Sequence, residues 1–467
     1  MKDSRQIARD PANSTERTVM CLVALGLSAV SFAHKLSCTT PQNGPSGTPL
    51  PWTIRVTRTG CFSDTASLFE SHNLANHVFP YIHSWYTSNP PTLHGGAIEY
   101  PTLTGLWAWA TALFASDTQE FLVLTALSFA AVVLVTTLCL YRLAGRRAWI
   151  WAASPPLALY ALYNWDILPV AATSLGLLVA VQGPLRWPRI IRAIAAGVAF
   201  GVGGAFKLYP LLFIVPLALA ILLNPSADSR AERWRNAGGA IGGTLAVLLA
   251  ANLPFLIINS AGWLSVFQFQ AQRPIDGTTL SLWSQGFLPL MRPDDPKTQS
   301  VLGTAATVST LVGISLAVVA GIAIGRRQGA IPWVQTAAAM LCAYMLFNKV
   351  HSPQYVLWLL PFFVTVRIRI RWIVTYLLAD LAVFIGWYRT LYYHFIGDPN
   401  LKWAEQVLAC GIWGRALLLV VLAVVFLRSP LARSRQDDLG RTSTEGVHPE
   451  RVVGAVGTLR PPSASTT

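Results

Sequence analysis

A few titratable side chains interrupt or border the long apolar stretches of this sequence, and their types are those that move protons and hold phosphates: Asp64, Glu99, Asp166, Lys207, Arg273, Lys349 and His351. At such positions a charge costs a few kcal/mol unless it is paired or faces water. Asp64 ends the segment Cys61-Phe62-Ser63-Asp64, with Leu68-Phe69 and Pro80-Tyr81 following. A carboxylate in aromatic and apolar company has its pKa raised toward working pH, which suits a general base. The plainer reading is an aspartate that caps a loop. In Glu99-Tyr100-Pro101 the pattern is that of a helix start, with Pro101 at the first helical position and Glu99 near the positive end of the dipole. Glu99 and Tyr100 are also candidates to bind a substrate beside Asp64. Asn164-Trp165-Asp166 joins two apolar segments. Ordinary turn chemistry accounts for it, and Asp166 is equally placed to bind a hydroxyl or a basic partner.

The cations form the complementary set. Lys207, in Phe206-Lys207-Leu208-Tyr209-Pro210, stands alone between two apolar runs. It either snorkels to the membrane surface or serves as a point charge for a lipid phosphate. Arg273, in Gln270-Ala271-Gln272-Arg273-Pro274, is a plain loop arginine or a two-point phosphate ligand. Lys349-Val350-His351-Ser352-Pro353-Gln354-Tyr355 gathers polar groups where two apolar runs meet. There His351 caps a helix, donates to a leaving phosphate oxygen or orients a sugar, with Lys349 and Gln354 as neighbours to bind substrate. No D-x-D pair, H-x-x-x-H or C-x-x-C occurs, so the sequence requires no metal and implies no cofactor.

The elements that must position these groups are membrane helices. Of 467 residues 53% are hydrophobic and 12% charged, where a soluble protein carries about a quarter charged. The net charge of +14 does not signal a nucleic-acid partner. Its arginines sit in short loops between apolar runs: Arg142, Arg146 and Arg147; Arg186, Arg189 and Arg192; Arg230, Arg233 and Arg235; Arg326 and Arg327; Arg367, Arg369 and Arg371. That is the distribution of cytoplasmic loops, and the charges need do no more than set topology.

An all-α polytopic membrane protein of about twelve transmembrane helices is the expected fold. The runs are 18–33, 121–141, 148–163, 167–181, 193–206, 208–223, 237–258, 301–324, 331–347, 355–366, 372–387 and 407–427. Several are shorter than the ~20 residues a perpendicular helix needs. Residues 1–17 form a cytoplasmic tail and the first run is an uncleaved helix, because no A-x-A-like site follows it. Residues 18–427 are a single transmembrane catalytic domain with long extracytoplasmic loops at 34–120 and 259–300, and 428–467 is a disordered cytoplasmic tail. The stretch 101–114 dips into the outer leaflet without crossing, since a crossing there would carry Arg142, Arg146 and Arg147 outside. Cys38 and Cys61 share the first outer loop, where a disulfide is allowed. This topology sends the arginines to one side and gathers Asp64, Glu99, Asp166, Lys207, Arg273, Lys349 and His351 on the other.

Taken in order, Cys61-Phe62-Ser63-Asp64, Glu99-Tyr100-Pro101, Asn164-Trp165-Asp166, Phe206 to Pro210 and Lys349 to Tyr355 resemble the polyprenyl-phosphate-dependent membrane glycosyltransferases of the GT-C fold. More narrowly they resemble glycosyltransferase family 87, the mannosyltransferase-like membrane proteins common in actinobacteria. The resemblance implies that Asp64 is the catalytic base and that His351 lies at the donor phosphate. It departs after Arg273, where Pro274 stands in place of an Arg-Gly-Leu-Gln-like stretch. The implied partners are a polyprenyl-phosphate sugar donor, a lipid-linked or glycan acceptor and the lipid bilayer, with mannose or arabinofuranose transferred. A transporter or flippase would instead show charges near the bilayer midplane and internal repeats. Only Asp380 and Arg415 fall well inside apolar runs, and no repeat is visible.

Overall fold

The computed structural model describes residues 11–44, 47–88, 91–184, 186–287 and 295–432. The first half contains α1 (Pro11–Thr39), α2 (Trp52–Thr59), α3 (Asp64–Ser71), the strands β1 (Trp85–Ser88) and β2 (Pro91–His94), α4 (Thr102–Ala112), α5 (Thr118–Ala144), α6 (Trp149–Ala152), α7 (Pro155–Tyr160), α8 (Ile167–Val181) and α9 (Arg189–Phe206). Then follow α10 (Ile214–Leu223), α11 (Arg230–Ile258), α12 (Ser260–Gln272), α13 (Pro296–Gln328), α14 (Trp333–Phe347), α15 (Val356–Thr365), α16 (Ile370–Ile396) and α17 (Lys402–Arg428). β1 and β2 form one antiparallel hairpin, with Trp85 opposite His94.

Among the described residues, seven helices are long and apolar enough to cross a membrane, and four shorter apolar helices accompany them. Large apolar side chains such as Leu311, Leu316, Val319, Leu378 and Leu417 lie exposed on α13, α16 and α17. A helix that is apolar on its outer face belongs against lipid, where its backbone is satisfied within the helix. The chain is therefore an all-α, multi-pass membrane protein by the character of its helices.

The apolar runs 18–33, 121–141 and 167 onward all fall on helices, with one correction. The run 148–163 is not a single helix: α6 stops at Ala152 and α7 starts at Pro155. Pro155 and Pro156 explain the break, because Ser154 before them is held extended at ψ 126°. The stretch 101–114 folds as α4, whose 11 residues reach only ~16 Å, about half a bilayer.

Contacts fix the two ends of the bundle. At one end Arg146 pairs with Glu16 at 2.9 Å, and Arg147 donates to the carbonyls of Phe363, Val364 and Val366. Arg147 thus satisfies the last carbonyls of α15, work beyond the topological role read for its cluster. The tail placed from 428 is docked at its start: Arg367 N–H donates to Pro430 and Ala432 N–H to Thr365, each at 2.8 Å. Its remainder, 433–467, lies outside the described residues, as do positions 1–10 of the amino-terminal tail.

The opposite end holds the loops. Cys38 and Cys61 are joined by a disulfide that ties the end of α1 to the turn after α2. That turn is made by Gly60 at φ +73°, where a Cβ would come within 2.6 Å of the Phe384 ring. Deep between α16 and α17 Asp380 and Arg415 meet at 3.3 Å, and Arg415 also donates to the Leu280 and His351 carbonyls while Tyr160 donates to Asp380. The two charges that a transport reading would use are thus bonded to each other.

Candidate functional site

Asp64 is the first residue of α3, and its position is set from a distant loop. Its N–H donates to the Tyr163 carbonyl at 2.7 Å, and the hydroxyl of Ser63 donates to the Leu162 carbonyl at 2.6 Å. The turn 160–166 between α7 and α8 therefore carries the start of α3. Asp64 Oδ2 accepts from the Tyr100 hydroxyl at 2.7 Å, and Asn164 reaches the same hydroxyl at 3.4 Å.

Asp64 opens into a cavity of about 540 Å³ at the loop end of the bundle. Glu99, Tyr100, Lys207, Arg273, Lys349 and Gln354 line the same space. Seven of the nine candidate residues are so brought together, from segments spread over most of the chain. Asp166 and His351 do not line it.

Asp166 is fully buried and pairs with Lys207, whose Nζ lies 2.7 and 2.9 Å from its two carboxylate oxygens. Trp358 donates to it as well, at 2.7 Å. Its part is to hold Lys207 at the cavity wall, among the rings of Tyr100, Tyr355 and Trp358 at 5.1–5.4 Å. His351 is buried behind Tyr355, on which its ring stacks at 5.8 Å. Its N–H donates to the Thr279 carbonyl at 2.8 Å, its ring bonds the Met345 carbonyl, and its Nε2 has no partner. Burial first, and the Arg415 charge second, hold the imidazole well below its ordinary pKa. His351 thus stands outside the cavity lining, stacked on Tyr355, which does line it.

Lys349 and Arg273 are also organised by backbone. Lys349 Nζ donates to the carbonyls of Ala271 and Arg273, each at 3.0 Å, closing the carboxyl end of α12. Arg273 follows directly, and among the described residues no carboxylate lies within ion-pair distance of it. Among the described residues Arg273 and Lys349 are the cavity cations without a carboxylate at ion-pair distance, and of the two only Lys349 is bonded to carbonyls. Gln354 is 2% exposed and among the described residues its Oε1 lacks a partner, so it presents an acceptor to whatever enters.

The electrostatics favour a base at Asp64. Burial, and next the charge of Glu99, push its carboxyl up to about 6, against the pull of the Tyr100 hydroxyl, Lys207 and Arg273. Glu99 is raised too, by burial, with Arg273 and then Lys207 opposing. Burial foremost, then the charges of Asp64 and Glu99, keep the Tyr100 hydroxyl protonated, so it remains a donor to Asp64.

Apart from Phe62, which neighbours Asp64 in the sequence, the aromatic walls of the cavity carry no motif. Trp52, Phe62, Tyr163, Trp387, Tyr388 and Phe395 complete the cavity. Trp387, Leu391 and Phe395 recur every four residues along α16, past position 387, where the apolar run of the sequence ends. That spacing, on a helix of 27 residues reaching ~40 Å against a bilayer core of ~30 Å, was the available signal. The chain matches no family model, and no curated protein matches it.

Proposed function

We propose that this chain is an integral membrane glycosyltransferase that moves a sugar from a polyprenyl-phosphate donor to a cell-envelope glycolipid or glycan acceptor. In this reading the chain crosses the bilayer about twelve times, both termini are cytoplasmic and the cavity opens on the extracytoplasmic side. Mannose is the favoured sugar, from the resemblance of the motifs, with arabinofuranose the alternative. The observation that carries the proposal is the convergence of Asp64 and Arg273 on one aromatic-walled cavity.

The chemistry is a single inverting displacement. An acceptor hydroxyl attacks the anomeric carbon, its proton passes to the Asp64 carboxylate, and the bond to the phosphate oxygen breaks with its electron pair leaving on the phosphate. Arg273 faces that growing charge with a fork of donors, and Lys207 adds a second positive centre partly neutralised by Asp166. Glu99 raises the basicity of Asp64 through its own charge. Gln354 accepts from a sugar hydroxyl, and the aromatic wall gives the sugar and the prenyl chain apolar surface to rest on.

Membranes containing the protein, supplied with a radiolabelled polyprenyl-phosphate sugar, test this. Asp64→Asn is expected to lower transfer ~10²–10⁴-fold, the usual span for a lost general base. Undiminished transfer by that variant would remove the proposal.

A further inference from the structure

A further cavity of about 240 Å³ lies at the arginine-rich end of the bundle, between α8, α9, α10 and the start of α11. Ala196 and Leu217 give it an apolar wall, and Arg189, Arg192, Asp228 and Asn236 supply its polar lining. Arg189 is neutralised by Asp228 at 2.7 Å. Arg192 is not: among the described residues no carboxylate lies within ion-pair distance of it, its buried Nε has no partner, and its Nη2 reaches the Ala180 carbonyl only at 3.5 Å. Gly183 leaves the room for that side chain, since a Cβ there would stand 2.7 Å from Nε.

Two features complete an anion site. Arg192 stands on the first turn of α9, which begins after Pro188 with no side-chain cap, so the positive dipole end of an 18-residue helix lies on the same side as its guanidinium. Asn236 is 4% exposed and its Oδ1 has no partner. Its Nδ2 reaches Asp228 at 3.5 Å, and a buried acceptor sharing one cavity with the Arg192 guanidinium fits a ligand that carries both an anionic phosphate and a hydroxyl donor.

We propose that this cavity binds the headgroup of an anionic phospholipid whose headgroup bears a free hydroxyl, as a phosphatidylglycerol does. The phosphodiester lies on Arg192 and the first turn of α9, and the headgroup hydroxyl donates to Asn236 Oδ1. The site is independent of the chemistry at Asp64. It also gives the arginines of this end a ligand beyond their topological role.

Native mass spectrometry of the full chain in detergent, titrated with short-chain phosphatidylglycerol, phosphatidylcholine or inorganic phosphate, tests it. Saturable binding of phosphatidylglycerol alone is expected, and Arg192→Met is expected to weaken it roughly ten-fold, as loss of one charged hydrogen bond does. Arg326→Gln, outside the cavity, leaves it unchanged. Equal binding of phosphatidylcholine, inorganic phosphate binding as tightly as the lipid, or full affinity in Arg192→Met would overturn the proposal. Should Arg192→Met fail to fold, a photoreactive phosphatidylglycerol on the wild-type protein decides. Crosslinks within 189–196 or 217–236 support the site, and crosslinks solely elsewhere, the wall at 207–208 included, refute it.

Discussion

Lys207 Nζ lies 2.7 and 2.9 Å from the two oxygens of Asp166, a carboxylate with no exposed surface, so the cation at the cavity wall is held from behind. Breaking such a pair from one side leaves a charge uncompensated, at a cost of ~3–5 kcal/mol, whereas removing both partners costs far less. Asp166→Asn and Lys207→Met are each expected to lower the thermal midpoint in detergent, and the double variant to recover much of the loss. Additive losses in the double variant would show that the two groups act separately.

Arg147 donates to three carbonyls around the end of α15. A guanidinium reaches several acceptors from one planar fork of five donors, a geometry the compact ammonium of lysine does not reproduce. Arg147→Lys keeps the charge and so keeps whatever the cluster does for topology, yet is expected to lose ~1–3 kcal/mol by leaving carbonyls unsatisfied. Unchanged unfolding of Arg147→Lys would return Arg147 to a purely topological role.

That case marks the limit of what the sequence discloses. Hydropathy period and charge spacing located the helices and the gathering of Asp64, Glu99, Lys207 and Arg273 at one end, because both follow from one-dimensional patterning. Partner choice does not. Nothing in Lys349 announces that it bonds the carbonyls closing α12, nor in His351 that it stacks on Tyr355 outside the cavity lining. The aromatic wall on α16 was illegible for another reason: Trp387 and Phe395 are as apolar as the lipid-facing residues, and only the third dimension separates the two uses.

Cys38 and Cys61 stand 23 residues apart, and their disulfide closes the loop containing α2, whose Trp52 and Val56 line the cavity. Closing a loop of that length stabilises by ~3 kcal/mol in the chain-entropy account. Cys38→Ser with Cys61→Ser is expected to lower the thermal midpoint and to raise KM more than it lowers kcat, since Asp64 is anchored separately to the Tyr163 carbonyl. Reductant should reproduce both changes in the wild type and neither in the variant. A wild-type enzyme indifferent to reductant would show that the bridge does not order the cavity.

Asp64 combines a catalytic requirement with a cost in stability, and pH separates the two. Its carboxyl, ordinarily near 3.8, is pushed up to about 6, chiefly by burial. As the base it must be ionised, so transfer is expected to rise with pH through about 6 and then level. Tyr100→Phe removes a donor that favours the ionised form, so its acid limb should move to higher pH. Stability runs the other way. A carboxyl whose folded pKa is raised binds its proton more tightly when folded, so its stabilising contribution is complete below 3.8 and is lost as pH rises through about 6. Asp64→Asn cannot ionise, so it should be inactive yet gain in thermal midpoint over the wild type between pH 4 and pH 7.5. Unfolding curves of both proteins across that range, beside the pH profile of transfer, decide the matter. A wild-type acid limb near 4, or a midpoint gap that does not grow with pH, would mean that Asp64 is an ordinary solvated carboxylate and not the base.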